Sequence, residues 1–158
     1  MEMEKGQSGD GVLVSCFMLG DSSFGVDARL VQEVVKVGEL THVSNAPIDV
    51  VGIRNLRGRI VTVIDMAVAL SLGKVESGSE ARLLIIENRG ETYGFMVDAV
   101  TGNVELDEKQ VTTPPASMDP SLSSKLFGVW REKGKLLALI DTEKLFQWSD
   151  QPGQTGSK

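Results

Sequence analysis

Short runs of β-branched and aliphatic residues alternate with Gly, Asp and Asn along most of the chain, the pattern of many short strands joined by tight turns. "GVLVSCFML" (11–19) reads as a strand, "GDSS" (20–23) as a turn and "FGV" (24–26) as the returning strand. "DARLVQEVVKV" (27–37) predicts a short helical turn running into another strand, and "NAPIDVVG" (45–52) a loop set by Pro47. After Asp65, "MAVALSLG" is apolar at helical spacing and stops at Gly73; "KVESGSE" (74–80) is a solvated loop. "ARLLIIEN", "ETYGFMVDAV" and "GNVELD" read as three further strands, and "TTPPASMDPSLSS" (112–124) as one long irregular segment held open by its prolines.

An internal repeat organises this pattern. "VGIRNLRGRIVTVID" (51–65) aligns without a gap on "FGVWREKGKLLALID" (127–141), with Gly52/Gly128, Gly58/Gly134, Ile64/Ile140 and Asp65/Asp141 identical and Arg57/Lys133 conservative. Both copies continue into a short amphipathic segment, "MAVAL" and "TEKLF". Two unrelated hairpins can share glycine and apolar residues, but the match runs on into the predicted helix, which favours a repeat.

Each copy carries a strand apolar on both faces: Ile60, Thr62 and Ile64 against Val61 and Val63, then Leu136, Ala138 and Ile140 against Leu137 and Leu139. Such a strand is covered on both sides, one face filling its own barrel and the other packing on a neighbour. The predicted fold is mainly β, two small barrels sharing a core, with short helices. Residues 11–148 form the expected ordered body; 1–10 and 149–158, rich in Gly, Ser, Gln and charge, read as disordered ends.

Composition narrows the functional classes. A chain of 158 residues with 41% hydrophobic and 24% charged residues is ordinary for a globular protein. One cysteine, Cys16, permits no internal disulfide and points to a reducing compartment. No apolar run approaches the ~20 residues needed to cross a bilayer, and no signal-peptide pattern is present, so the expected location is the cytoplasm. A net charge of −6, with five Phe, two Trp and one Tyr, argues against a nucleic-acid surface and toward a protein partner.

No constellation for catalysis, metal or cofactor binding emerges. Asp65 and Asp141 each end a strand and precede a helix, where a carboxylate caps free N–H groups, so both read as structural caps. His42 lies in a polar stretch without ligand spacing, and Cys16 sits within an apolar strand as an inert thiol. P-loop, dinucleotide and nucleophile-elbow motifs are missing. The Asn55-Leu56-Arg57-Gly58 turn stands apart. An Arg in a turn is commonly just solvated, but here Leu56, exposed by position, accompanies it, and an apolar residue beside a planar cation suits an interface anchor.

"NLRGRIVTVIDM", preceded by "NAPIDVVGI", resembles the signature of the CheW-like coupling proteins of bacterial chemotaxis. "FMLGDSSFGVDARLVQEV" and "YGFMVDAVTGNVEL" are similar to that family's opening and later strands, so the likeness covers nearly the whole predicted body. Thr62 departs from it, since the family commonly has proline there, which leaves local strand pairing open. The resemblance implies two intertwined SH3-like barrels. It also implies a non-catalytic adaptor without cofactor or metal, joining chemoreceptor cytoplasmic tips to the regulatory domain of a CheA-type histidine kinase. By position, Val31, Glu33, Asn55, Leu56 and Arg57 would face the receptor, and Gly52 and Gly94 would lie near the kinase-binding strands. The alternatives are a coupling protein of a non-flagellar pathway, such as surface motility or developmental control, and a small-barrel ligand or nucleic-acid binder.

Overall fold

The computed structural model describes residues 11–146. The strands are β1 (Gly11–Leu19), β2 (Ser22–Asp27), β3 (Val31–Lys36), β4 (Val50–Leu56), β5 (Arg59–Asp65), β6 (Arg82–Asn88), β7 (Glu91–Val97), β8 (Ala99–Asp107), β9 (Val111–Thr112), β10 (Leu126–Glu132) and β11 (Lys135–Ile140). Single-turn helices α1 (Met66–Ala69), α2 (Pro120–Ser123) and α3 (Thr142–Leu145) complete the described elements, with 3-10 turns at Ala28–Leu30 and Glu108–Gln110.

The strands form two sheets, ordered β8-β1-β2-β11-β10-β9 and β3-β6-β7-β5-β4. The predicted repeat is therefore divided between them: β4–β5 lies in one sheet and β10–β11 in the other. Their registers match, Val50↔Ile64 and Gly52↔Val63 against Leu126↔Ile140 and Gly128↔Leu139, with a register shift at the same place. Each hairpin then makes the same parallel pairing to a hairpin from elsewhere in the chain, β5 to β7 and β11 to β2. The first hairpin of the chain thus completes the sheet of the last, and the two halves are intertwined.

Val63 pairs with Gly52 on one side and Gly94 on the other, and Leu139 pairs in the same way with Gly128 and Gly25. At Gly52 a Cβ would stand 2.6 Å from the Thr41 carbonyl oxygen, because Thr41 bridges to Ile53 there. At Gly128 a Cβ would stand 2.9 Å from the Thr112 oxygen, the matching contact. Close backbone approach explains both glycines.

A shared core joins the sheets: Phe17, Phe24 and Val26 pack in one cluster with Val61, Val63, Leu84 and Phe95. A second cluster, Val14, Cys16, Leu106, Leu137 and Leu139, fills the interior of the six-stranded sheet. Leu137 and Leu139 thus face one cluster while Ala138 and Ile140 face the other, the double coverage expected of β11. Ile60, 58% exposed, and Leu136, 37% exposed, fall outside that expectation. Each is the second residue of its strand, beside the hairpin turn.

Asp65 and Asp141 are helix caps, of unequal weight. Asp141 accepts one N–H, from Glu143. Asp65, buried, accepts from Ala67 and Val68 through Oδ1 and from Val75 through Oδ2, so it also pins the 74–80 loop. The helix at 66–73 is shorter than its periodicity predicts; it ends at Ala69, and Ser71 takes a left-handed φ of 62°. The strand expected over 91–100 breaks at Asp98, where the chain leaves one sheet for the other. The Asp98 carboxylate there accepts from Gly20 and Glu76 N–H groups, tying both sheets together. The 112–124 segment is not wholly irregular, since Asp119 caps α2 with Pro120 in its first turn, a favourable helix start. Residues 147 and 148 of the expected body, and both expected disordered ends, lie outside the described residues.

Candidate functional site: the Arg57 turn and its flanks

β4 and β5 are joined by a two-residue loop, Arg57-Gly58, with φ of 53° and 88°. Two positive φ values define the tight turn whose twist suits a hairpin. Arg89-Gly90 and Lys133-Gly134 repeat the arrangement between β6 and β7 and between β10 and β11. A long cation in the left-handed position followed by glycine is this protein's recurrent solution. Asn55 holds the first turn by accepting the Gly58 N–H at 2.8 Å through Oδ1.

Leu56 contradicts the expectation of an exposed apolar tip. It is 4% exposed and belongs to the shared core, because the strand register carries its side chain inward while Arg57 swings out. Its contribution is to anchor the turn from below. Arg57 is exposed at the tip, and its guanidinium donates to the Glu33 carboxylate on β3. Arg59 approaches the same carboxylate at 3.8 Å. Arg54 donates to the Lys36 carbonyl, tying the end of β3 to β4. Val31, half-buried on β3, lies two positions from Glu33. The structure therefore joins Glu33 directly to Arg57, gives Asn55 a turn-holding role and moves Leu56 to the core.

Gly52 and Gly94 are both buried. A Cβ on Gly94 would meet Val61, Leu83 and Ile85 side chains at 3.1–3.4 Å. Neither glycine presents a surface; they set how closely their strands lie.

The outer face of β4–β5 is a feature that sequence reading missed. Ile53 pairs with Thr62, and with Tyr93, Val50, Val43 and Pro47 they line an open groove of about 500 Å³. Ile60 lies on the same face of β5 as Thr62, two residues away. Its signal was available as an apolar residue beside a turn, but two-faced apolar patterning masked it. Thr62 pairs with Ile53 and Tyr93, so the departure from proline leaves the ladder intact. His42 is exposed, as expected. Cys16 is buried, and burial holds its thiol above the usual range, consistent with an inert side chain.

Among the described residues no cluster of three or more His, Cys, Asp or Glu could hold a metal ion. No helix among them is long and apolar enough to cross a membrane.

Residues 14–150 match the family model of the CheW-like domain. A chemotaxis protein CheW of Klebsiella aerogenes is 32% identical over 130 residues, covering 82% of this chain and 78% of the relative. Protein FrzA of Myxococcus xanthus is 29% identical over 138 residues, with 86% of each chain covered. The crystal structure of the scaffolding protein TtCheW from Thermoanaerobacter tengcongensis is similar with a TM-score of 0.77 at 30% identity, covering 85% of this chain and 87% of that one. Matched along nearly all of its described length, the chain belongs to the CheW-like domain family.

Proposed function

We propose that this protein is a non-enzymatic coupling adaptor of bacterial chemotaxis, joining chemoreceptor cytoplasmic tips to the regulatory domain of a CheA-type histidine kinase. Family membership and the likeness to CheW proteins support the adaptor role. The observation that carries the residue assignment is the Arg57–Glu33 pair, which sets an exposed cation beside a half-buried carboxylate at the tip of the β4–β5 hairpin. With Val31 beside them, they offer a receptor helix tip an apolar contact and two fixed charges. Asn55 and Leu56 serve this surface by holding the turn.

The kinase contact is assigned to the outer face of β4–β5, where Ile53, Ile60 and Thr62 are accessible. Gly52 and Gly94 act beneath it by letting the strands pack closely. Two surfaces on one hairpin would fix receptor and kinase in a set geometry, and an adaptor that favours one kinase conformation shifts its population. The protein works in the cytoplasm, is recruited to receptor arrays, and needs no cofactor. A second reading, coupling in a non-flagellar pathway, is supported by the likeness to protein FrzA.

Calorimetry against a receptor cytoplasmic fragment and the kinase regulatory domain tests the assignment. Arg57→Glu weakens receptor binding about tenfold or more while kinase binding holds, since a charge reversal at an interface costs about 2 kcal/mol or more. Ile60→Glu does the converse. Unchanged receptor affinity in Arg57→Glu, or no binding of either partner by the parent protein, contradicts it.

A further inference from the structure

The β10–β11 tip reproduces the Arg57 turn in backbone, with φ of 53° at Lys133 and 82° at Gly134. It reproduces the charge as well: Arg131, Lys133 and Lys135 fall within five positions, against the single carboxylate of Glu132. The two tips differ in how the cations are used. At the first, Glu33 takes Arg57 and Arg59, and the Lys36 carbonyl takes Arg54. At the second, no described carboxylate lies within ion-pair distance of Arg131, Lys133 or Lys135, and all three are exposed. Even Glu132, directly opposite Lys135 in the register, makes no ion pair with it among the described residues.

Arg131 and Leu136 are also directly opposite one another, so a cation and an apolar side chain, 37% exposed, share one face of the tip, with Lys135 beside Glu132 on the other face and Lys133 at the turn between them. The concavity around it, about 370 Å³, is lined by residues 131–136 alone. Unneutralised cations on a protein of net charge −6 make a local positive field against an overall negative one, which orients an acidic segment toward this spot and repels it elsewhere. The geometry points to a second docking tip, Arg131, Lys133, Lys135 and Leu136, that binds an acidic protein segment carrying an apolar residue among its carboxylates. A nucleic-acid occupant fits less well, because Trp130, the aromatic nearest the tip, is half-buried against the Val14–Leu139 cluster, and the exposed aromatic of β10, Phe127, lies at the far end of the strand. The inference stands apart from the receptor and kinase assignments and does not need either partner.

Fluorescence polarisation of the full-length protein tests it with a fluorescein-labelled Glu-Glu-Leu-Glu-Glu peptide, a Gln-Gln-Leu-Gln-Gln control and a labelled oligo-dT. The acidic peptide binds weakly in low salt, the glutamine peptide does not, and R131Q/K133Q/K135Q weakens binding about tenfold or more. K36Q/K74Q/K109Q, with the same change in net charge, stays within about twofold. Thermal unfolding shows whether each variant is folded. Equal losses in both triple variants make the effect bulk charge and overturn the proposal. So does binding of oligo-dT in preference to the acidic peptide, or no binding of that peptide by the parent protein.

Discussion

Arg57 and Lys133 have the same backbone φ of 53° at the same position of two hairpins in matching register, yet Arg57 is locked to a carboxylate and Lys133 is not. Glu33 makes the difference, reaching from β3 to the first tip. An exposed ion pair of this kind contributes about 1 kcal/mol or less to stability, so its value lies in fixing where the guanidinium points. Glu33→Arg combined with Arg57→Glu keeps the attraction but exchanges the groups. We expect unfolding to be nearly unchanged and receptor binding to stay as weak as in Arg57→Glu alone. Recovery of affinity in the exchanged protein would mean that Arg57 acts through the ion pair and does not touch the receptor.

The two caps predict different costs. Asp141→Asn keeps an oxygen for its single N–H partner and costs about 0.5 kcal/mol or less. Asp65→Asn keeps one oxygen for Ala67 and Val68 but turns an amide NH2 toward the Val75 N–H, at a cost of about 1–3 kcal/mol for the unpaired buried group. Denaturant unfolding of both variants measures the gap, and equal losses would show that the Val75 contact adds nothing.

The glycines beside Val63 separate by the same reasoning. Gly52→Ala drives a methyl into the Thr41 carbonyl, backbone that cannot swing aside, and costs about 1–3 kcal/mol. Gly94→Ala meets side-chain ends that can give, and costs less. If either variant loses kinase binding, the loss should come with a distorted β4–β5 face in the folded protein, seen as chemical-shift changes at Ile53, Ile60 and Thr62. Lost binding with those signals unmoved would contradict an indirect role.

Asp49 supplies the pH dependence. Burial holds its carboxyl above the ordinary range, Asp65 adds to the rise, and its backbone hydrogen bond and Lys125 partly offset it. A carboxyl raised in the folded state favours folding most when protonated, so its contribution falls as pH rises from the unfolded value through the folded one. Asp49→Asn removes that penalty. Its stability relative to the parent is therefore expected to be greater at pH 7 than at pH 3, and a difference that narrows toward neutral pH would reverse the sign.

Much of this fold was legible because the repeat is written in residues whose spacing reflects backbone need. Gly52 and Gly128 admit a crossing strand, Gly58 and Gly134 close matching turns, and Asp65 and Asp141 begin matching helices. The exchange of hairpins between sheets leaves no local pattern, since β5 pairs with β7 and β11 with β2 from distant parts of the chain, and only the family resemblance implied intertwined barrels. At the site, Glu33 and Arg57 could be named but not joined, since they meet across 24 positions of chain. Leu56 misled for a simpler reason. A residue flanking a turn can face either way, and only register settles which.

The most direct test of the adaptor account is reconstitution of the kinase with receptors in membranes, measuring autophosphorylation with and without this protein. The account predicts that receptor ligand changes kinase activity only when the protein is present, and that Arg57→Glu abolishes this response without lowering binding to the isolated kinase regulatory domain. A kinase that responds equally well without the protein, or a full response with Arg57→Glu, would contradict it.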